Sequence, residues 1–126
     1  MRSILIVEDC DEIRIDLAEL LRDEGYDVVT ARHGAEALDL LDAGPAPSVI
    51  LLDLMMPVMD GWQFRKMQLG KPTLASIPVV LLTGSNNAQQ HARDLNAAGC
   101  VQKPFDFDQL LSTVSGVAAR AVGSSP

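Results

Sequence analysis

Three acidic residues follow two short aliphatic runs, and their types and positions suggest chemistry. Glu8 and Asp9 come directly after residues 4–7, and Asp53 comes directly after residues 49–52. A single acid at such a place is usually a helix cap or a solvated loop residue. Three carboxylates brought together are costly without a cation, and Mg²⁺ prefers carboxylate oxygens with room for water. The sequence therefore predicts a magnesium site if the fold places the two runs side by side.

A hydroxyl group and an ammonium group end two further aliphatic runs. Thr83 follows residues 79–82, and Lys103 follows residues 100–102. Alone, Thr83 is explained by strand propensity and Lys103 by a surface charge with a buried stem. Together with a metal ion they could neutralise and hydrogen-bond a phosphoryl group on Asp53, because phosphoryl transfer depends mainly on positioning and charge stabilisation. An aspartyl carboxylate is a competent covalent acceptor.

Five aliphatic runs alternate with longer segments of helical periodicity, which is the pattern of repeated βα units. The runs are residues 4–7, 27–31, 49–52, 79–82 and 100–102. Because right-handed crossovers permit few other arrangements, we predict an α/β fold: a flavodoxin-like three-layer sandwich with five parallel strands in the order 2-1-3-4-5. In such sheets the ligand site lies beyond the carboxyl ends of strands one and three, where the order reverses. The acids meet at that point.

Composition narrows the possible function classes. The chain has 126 residues, 48% of them hydrophobic and 4% aromatic, and a net charge of -7, which disfavours binding to nucleic acid. Cys10 and Cys100 are too few and too far apart for a disulfide framework or a zinc site, so we expect reduced thiols and a cytoplasmic protein. No segment is apolar for long enough to span a membrane. We predict one domain over residues 1–122 and a flexible tail over residues 123–126.

Four motifs resemble those of the receiver, or response regulatory, domains of bacterial two-component response regulators. They are ILIVED at residues 4–9, LDLMMPVMDG at 52–61, LTG at 82–84 and KPF at 103–105. The resemblance covers essentially the whole chain. It implies phosphorelay signal transduction, in which a sensor histidine kinase or histidine phosphotransfer protein phosphorylates Asp53 with the help of Mg²⁺. The signal would pass to a downstream protein by direct interaction, and the chain would catalyse only its own phosphorylation and dephosphorylation.

The resemblance also implies a role for each residue around the metal. Asp9, Asp53 and the backbone carbonyl of Met55 would ligate Mg²⁺ directly, and Glu8 would act mainly through a bound water molecule. These assignments come from the family and are not worked out from the spacing of the residues.

Further roles follow from the motifs of the fourth and fifth strands. Thr83 would contact the phosphoryl oxygens, and the small Gly84 would keep the approach to the acceptor open. Lys103 would bridge the phosphoryl group and an acid of the first strand. The resemblance implies a cis peptide bond before Pro104, although only about 5% of X-Pro bonds in folded proteins are cis.

Cys100 departs from the family pattern, because most receivers carry Tyr or Phe three residues before the lysine. In the family, the aromatic ring moves when the threonine approaches the phosphoryl group, and Cys100 has no ring to move. We therefore expect residues 84–90 to change more on phosphorylation than Cys100 and the last helix, which NMR shift mapping with a phosphate mimic would test. The alternative is that Cys100 fills a small pocket and that partners recognise the phosphoryl charge.

Other protein classes share parts of this pattern. Haloacid-dehalogenase-like phosphatases need a second Asp two residues after the nucleophile, where Met55 stands. Flavodoxins bind a flavin phosphate with hydroxyl and N–H groups, and the acids after the first strand would repel it. Two alternatives stay open: an interaction module that works without phosphorylation, and a receiver domain from a larger hybrid kinase. We expect no metal or relay role for His33 or His91, and a packing role for Trp62.

Overall fold

A computed structural model describes residues 2–84 and 86–123, the last four of these by their backbone alone. All five predicted strands are present and form one parallel sheet in the order β2-β1-β3-β4-β5, so the predicted fold class and strand order are confirmed. The strands are β1 (Ser3–Val7), β2 (Asp27–Ala31), β3 (Val49–Asp53), β4 (Val79–Thr83) and β5 (Gly99–Gln102).

Five helices connect and cover these strands. They are α1 (Asp11–Asp23), α2 (Gly34–Ala43), α3 (Gly61–Leu69), α4 (Ala88–Asp94) and α5 (Phe107–Gly123). Gly123, where the sequence predicted the tail to begin, is part of α5, and residues 124–126 lie outside the described part of the chain. Among the helices described, none combines the length and apolar character needed to cross a membrane.

The helices divide between the two faces of the sheet because side chains alternate along each strand. Leu5 and Val7 of β1 pack into a cluster with residues of α2 and α3, whereas Ile4 and Ile6 pack into a second cluster with α1 and α5. Burying one such side chain contributes about 1.5–3 kcal/mol. The result is the predicted three-layer sandwich, with its core on both sides of the sheet.

β3 and β4 are buried along their whole length, yet each ends in a polar residue. Asp53 ends β3 and Thr83 ends β4, and both are at most 3% exposed. A buried polar group is costly unless it has a partner. Buried polar side chains that need partners are therefore placed at the carboxyl edge of the sheet, at the end of the apolar core.

Candidate functional site

Strand register brings the predicted site residues together. β1 and β3 pair Val7 with Leu52, so the acids that follow these residues become neighbours. β3 and β4 pair Asp53 with Leu82, which places Thr83 one step beyond the acceptor. The backbone N–H of Lys103 donates to the carbonyl of Thr83 at 2.8 Å, so the end of β5 lies beside the end of β4.

Glu8, Asp9 and Asp53 form one acidic cluster. Each offers a carboxylate oxygen, and the three oxygens lie within 4.8 Å of one another. Glu8 and Asp53 are buried, and Asp9 is exposed to solvent. This donor set fits Mg²⁺, which binds through one or two carboxylates and keeps several water molecules. The exposed side at Asp9 provides access for those waters.

Lys103 is the counter-charge inside the cluster. Its Nζ lies 2.7 Å from Glu8 Oε1 and 3.5 Å from Asp53 Oδ2. Burial works to lower the pKa of Lys103, but the hydrogen bond to Glu8 and the charge of Asp53 outweigh it and raise that pKa. The peptide bond between Lys103 and Pro104 is cis, the geometry that the family resemblance implies. One ammonium group thus contacts two of the three carboxylates.

The charges of the cluster remain out of balance. Burial raises the pKa of Asp53 from 3.8 to about 8, and the hydrogen bond and charge of Glu8 act in the same direction. Burial also opposes ionisation of Asp9, but hydrogen bonds with Asp53 and Glu8 outweigh it and lower the pKa of Asp9. Without a metal ion, the three acids therefore favour retention of a proton on Asp53. A divalent cation would supply the charge that the cluster lacks.

The loop after Asp53 is anchored at both ends. The backbone N–H of Met55 donates to Asp53 Oδ1 at 3.1 Å, which fixes the rotation of the carboxylate. Gly61 begins α3 so close to the loop that an added Cβ would lie 2.7 Å from the carbonyl oxygen of Asp53. Only glycine fits there. Asp60 and Gln63 form a reciprocal capping box at the start of α3.

The other predicted residues lie around this centre. A Cβ on Gly84 would meet no described residue within 4 Å apart from its chain neighbour, so the described residues leave space beside Thr83. Cys100 packs on the α4 side of the sheet, and Val101 packs on the opposite side. Loop residue Ser85 lies outside the described residues, and the expected response of residues 84–90 stays a prediction.

The two histidines and the tryptophan each contact a neighbouring residue. His33 caps α2, because its Nδ1 accepts from the backbone N–H of Glu36 at 3.2 Å. Trp62 and His91 form an edge-on ring contact with centroids 4.9 Å apart, which joins α3 to α4. The ring contact of Trp62 agrees with the packing role expected for this residue from the sequence.

Sequence reasoning missed Arg14 and the pair formed by Arg65 and Gln68. Arg14 donates to the backbone carbonyl of Glu8 at 3.0 Å, so it touches the acidic turn itself. Arg65 and Gln68 are buried in α3 and contact one another at 2.8 Å. The only available signal for Arg14 was its position on the predicted first helix, one turn after the acids.

Comparison with known proteins agrees with this geometry. The model of the response regulator receiver domain family matches residues 4–115. Sporulation initiation phosphotransferase F of Bacillus subtilis is 36% identical over 114 residues, which cover 89% of this chain and 90% of that protein. The transcriptional regulatory protein PdtaR of Mycobacterium tuberculosis is 33% identical over 120 residues, which cover 94% of this chain but 58% of PdtaR. The chain thus spans little more than half of that relative.

Solved structures show the same fold. The chemotaxis response regulator CheY4 of Vibrio cholerae superposes with a TM-score of 0.85 at 34% identity, covering 93% of this chain and 98% of CheY4. The response regulator TrrA of Thermotoga maritima, solved in complex with Mg(2+)-BeF, has a TM-score of 0.81 at 32% identity, covering 93% of this chain and 99% of TrrA. The chain belongs to the response regulator receiver domain family.

Proposed function

We propose that this chain is a phosphorelay receiver in which Asp53 accepts a phosphoryl group in a Mg²⁺-dependent reaction. The observation that carries the proposal is the acidic cluster itself: Asp53 is buried beside Glu8 and Asp9, with Lys103 3.5 Å from its Oδ2. The donor would be a phosphohistidine of a sensor histidine kinase or a histidine phosphotransfer protein.

The two oxygens of Asp53 have different surroundings. Oδ1 accepts the backbone N–H of Met55, and Oδ2 faces Lys103. In the proposed transfer, Asp53 would react as the carboxylate, its proton having passed to solvent when a cation balances the cluster. Oδ2 forms a bond to phosphorus while the bond between phosphorus and the donor imidazole nitrogen breaks, and the electron pair returns to that nitrogen. Because little covalent chemistry is required of the protein, positioning and charge stabilisation account for most of the catalysis.

Residues around Asp53 would stabilise the transferred group. Asp9, Asp53 and the backbone carbonyl of Met55 would hold Mg²⁺, and Glu8 would contribute through water. When bound, the ion neutralises the negative charge of the phosphoryl oxygens. The Thr83 hydroxyl would donate to one of these oxygens, and the Lys103 ammonium would neutralise another.

The relatives support signalling as the purpose of this chemistry. The matched structure of TrrA contains Mg(2+)-BeF, and PdtaR is named a transcriptional regulatory protein. We propose that this receiver works in the cytoplasm and signals to a downstream protein by direct interaction. Its net charge of -7 argues against nucleic acid as the direct target.

Phosphorylation by a small-molecule donor tests the proposal without knowledge of the kinase. Acetyl phosphate with Mg²⁺ should add one phosphoryl group to the wild-type protein, detected by intact-mass spectrometry and removed by base. Asp53→Asn should abolish the addition, and a metal chelator should prevent it. Asp39→Asn, an exposed acid on α2, is the matched control and should be labelled normally. Undiminished labelling of Asp53→Asn would refute the assignment and favour an interaction module that works without phosphorylation.

A further inference from the structure

The turn between β1 and α1 carries two of the three acids, yet it has few fixed contacts of its own. Cys10 is the N-cap of α1 and makes no side-chain cap hydrogen bond. Its backbone N–H donates to Glu8 Oε2 at 3.3 Å, and the N–H of Glu8 donates to the carbonyl of Ala31 at 3.0 Å. Asp9, the exposed acid of the cluster, lies between these two anchored residues. The position of its carboxylate therefore depends on how firmly the turn is held.

Arg14 joins the two ends of this turn. Its Nη1 donates to the backbone carbonyl of Glu8 at 3.0 Å, and its Nη2 forms an ion pair with the carboxylate of Asp11. The first contact lies directly after the strand, and the second lies at the first residue of α1. The side chain of Arg14 is only 12% exposed, so water competes weakly for its contact with the Glu8 carbonyl, whereas the Asp11 carboxylate is 73% exposed and its ion pair is weaker. A hydrogen bond from a charged donor is roughly twice as strong as one between neutral groups, so the contact with the Glu8 carbonyl is the firmer of the two.

We propose that Arg14 is a positioning residue of the acidic cluster, which holds the β1–α1 turn so that Asp9 stays within reach of Asp53 and of a shared Mg²⁺ ion. This inference rests on the proposed function and assigns a residue that acts through the ligands without touching the metal. Removal of such supporting contacts typically lowers metal affinity by about 10- to 100-fold. We expect a loss of about 10-fold when Arg14 is replaced.

The planar fork of the guanidinium is the feature on which this role depends. Its two nitrogens reach an acceptor before the helix and an acceptor within it at the same time. A lysine at position 14 keeps the positive charge but has one nitrogen, so it cannot span both acceptors in the same way. Arg14→Lys therefore separates positioning from a simple effect of charge on the neighbouring acids.

Arg22 provides a matched control on the same helix. Its Nη2 donates to the backbone carbonyl of Val28 at 3.1 Å, so Arg22 also joins α1 to a neighbouring segment. That contact lies at the end of α1 remote from the acids. Arg22→Gln removes one arginine and one such contact while leaving the acidic turn intact, and it should bind Mg²⁺ like the wild type.

The experiment is a Mg²⁺ titration of wild type, Arg14→Gln, Arg14→Lys and Arg22→Gln by amide NMR shifts, without phosphodonor and below each protein's unfolding temperature. We expect the dissociation constant to rise about 10-fold for Arg14→Gln and at least several-fold for Arg14→Lys. Wild-type affinity in Arg14→Lys would overturn the proposal, because charge alone would then suffice. A change of less than about two-fold in Arg14→Gln would also overturn it. If Arg14→Gln does not fold, Arg14→Lys decides the question.

Acetyl phosphate labelling of the same proteins separates this inference from the proposed function. A wild type that binds Mg²⁺ and is labelled, with Arg14 variants of unchanged affinity, would overturn the role of Arg14 alone. A wild type that binds no Mg²⁺ and takes no phosphoryl group would overturn both.

Discussion

Two clusters of polar side chains reach into the interior among the described residues, and they differ in how well their groups are matched with partners. Around Arg65, the guanidinium donates to the carbonyls of Leu95 and Asn96 at 3.0 and 2.9 Å and to Gln68 Oε1 at 2.8 Å. Gln68 in turn donates to the carbonyls of Leu74 and Ile77, both at 2.9 Å. These contacts join α3 to the end of α4 and to the segment before β4.

The acidic cluster has more acidic groups than positive charges to pair with them. Three carboxylates share one ammonium group, and the pKa of Asp53 rises to about 8 because burial and Glu8 disfavour its ionised form. The Arg65 network, in contrast, carries one charge surrounded by oxygen acceptors. A buried polar cluster whose donors are matched to acceptors holds the fold together. One with excess charge destabilises the free protein and is completed by a ligand of opposite charge, which marks a functional site.

The largest expected effect is on the Arg65 network. Arg65→Leu would leave two backbone carbonyls and Gln68 Oε1 without their donor, so we expect the free energy of unfolding to fall by about 3 kcal/mol. Urea unfolding measures this value. Lys66→Met, at the next and exposed position of α3, should change it by less than about 0.5 kcal/mol. A loss below about 1 kcal/mol in Arg65→Leu would mean that the network contributes little.

A substitution in the acidic cluster should change the free energy of unfolding in the opposite direction. In a metal chelator, Asp53→Asn replaces an acid that stays buried beside Glu8 only by keeping a proton that the unfolded chain releases, and we expect it to stabilise the protein by on the order of 2 kcal/mol at neutral pH. A ligand that binds only the folded state raises stability, so Mg²⁺ should stabilise the wild type. It should stabilise the variant much less, because the variant lacks one of the proposed ligands. Asp39→Asn is again the control. Destabilisation by Asp53→Asn in the absence of metal would contradict the charge imbalance.

The pH dependence of the free energy of unfolding also tests the charge imbalance of the acidic cluster. Between about pH 4 and about pH 8, the folded metal-free protein keeps a proton on Asp53 that the unfolded chain releases. The free energy of unfolding should therefore fall as pH rises through this window, by up to about 1.4 kcal/mol per pH unit. The raised pKa of Lys103 acts only at alkaline pH above this window. Asp53→Asn should flatten the slope, and equal slopes for the two proteins would contradict the raised pKa.

The sequence predicted the acidic site because its residues follow strands whose order and direction are set by hydrophobic pattern and crossover handedness. Parallel strands place their carboxyl ends at one edge, so Asp53, Thr83 and Lys103 converge without knowledge of any contact. The Arg65 network could not be predicted in this way. Apart from Gln68 Oε1, its acceptors are backbone carbonyls, which every residue carries, and the two that Arg65 contacts lie 30 and 31 residues further along the chain.

The contact of Arg14 with the acidic turn escaped prediction for a related reason. Its acceptor, the carbonyl of Glu8, has no side-chain signature, and the contact depends on how α1 leaves the turn. The Asp11–Arg14 pair alone resembles an ordinary surface ion pair three residues apart, which contributes little. The structure adds that the Arg14 guanidinium is nearly buried and donates to the Glu8 carbonyl, a contact that an exposed side chain of α1 would not make.

A crystal structure of this protein with Mg²⁺ and beryllofluoride, a mimic of the phosphoryl group, would show directly whether the acidic cluster binds both. We expect beryllofluoride bound to Asp53 Oδ2, with Mg²⁺ held by Asp9, Asp53 and the carbonyl of Met55, and with Lys103 in contact with the mimic. Both ligands would then occupy the acidic cluster, whose charges are out of balance without them. Beryllofluoride on another residue, or a metal ion bound away from these carboxylates, would contradict this expectation.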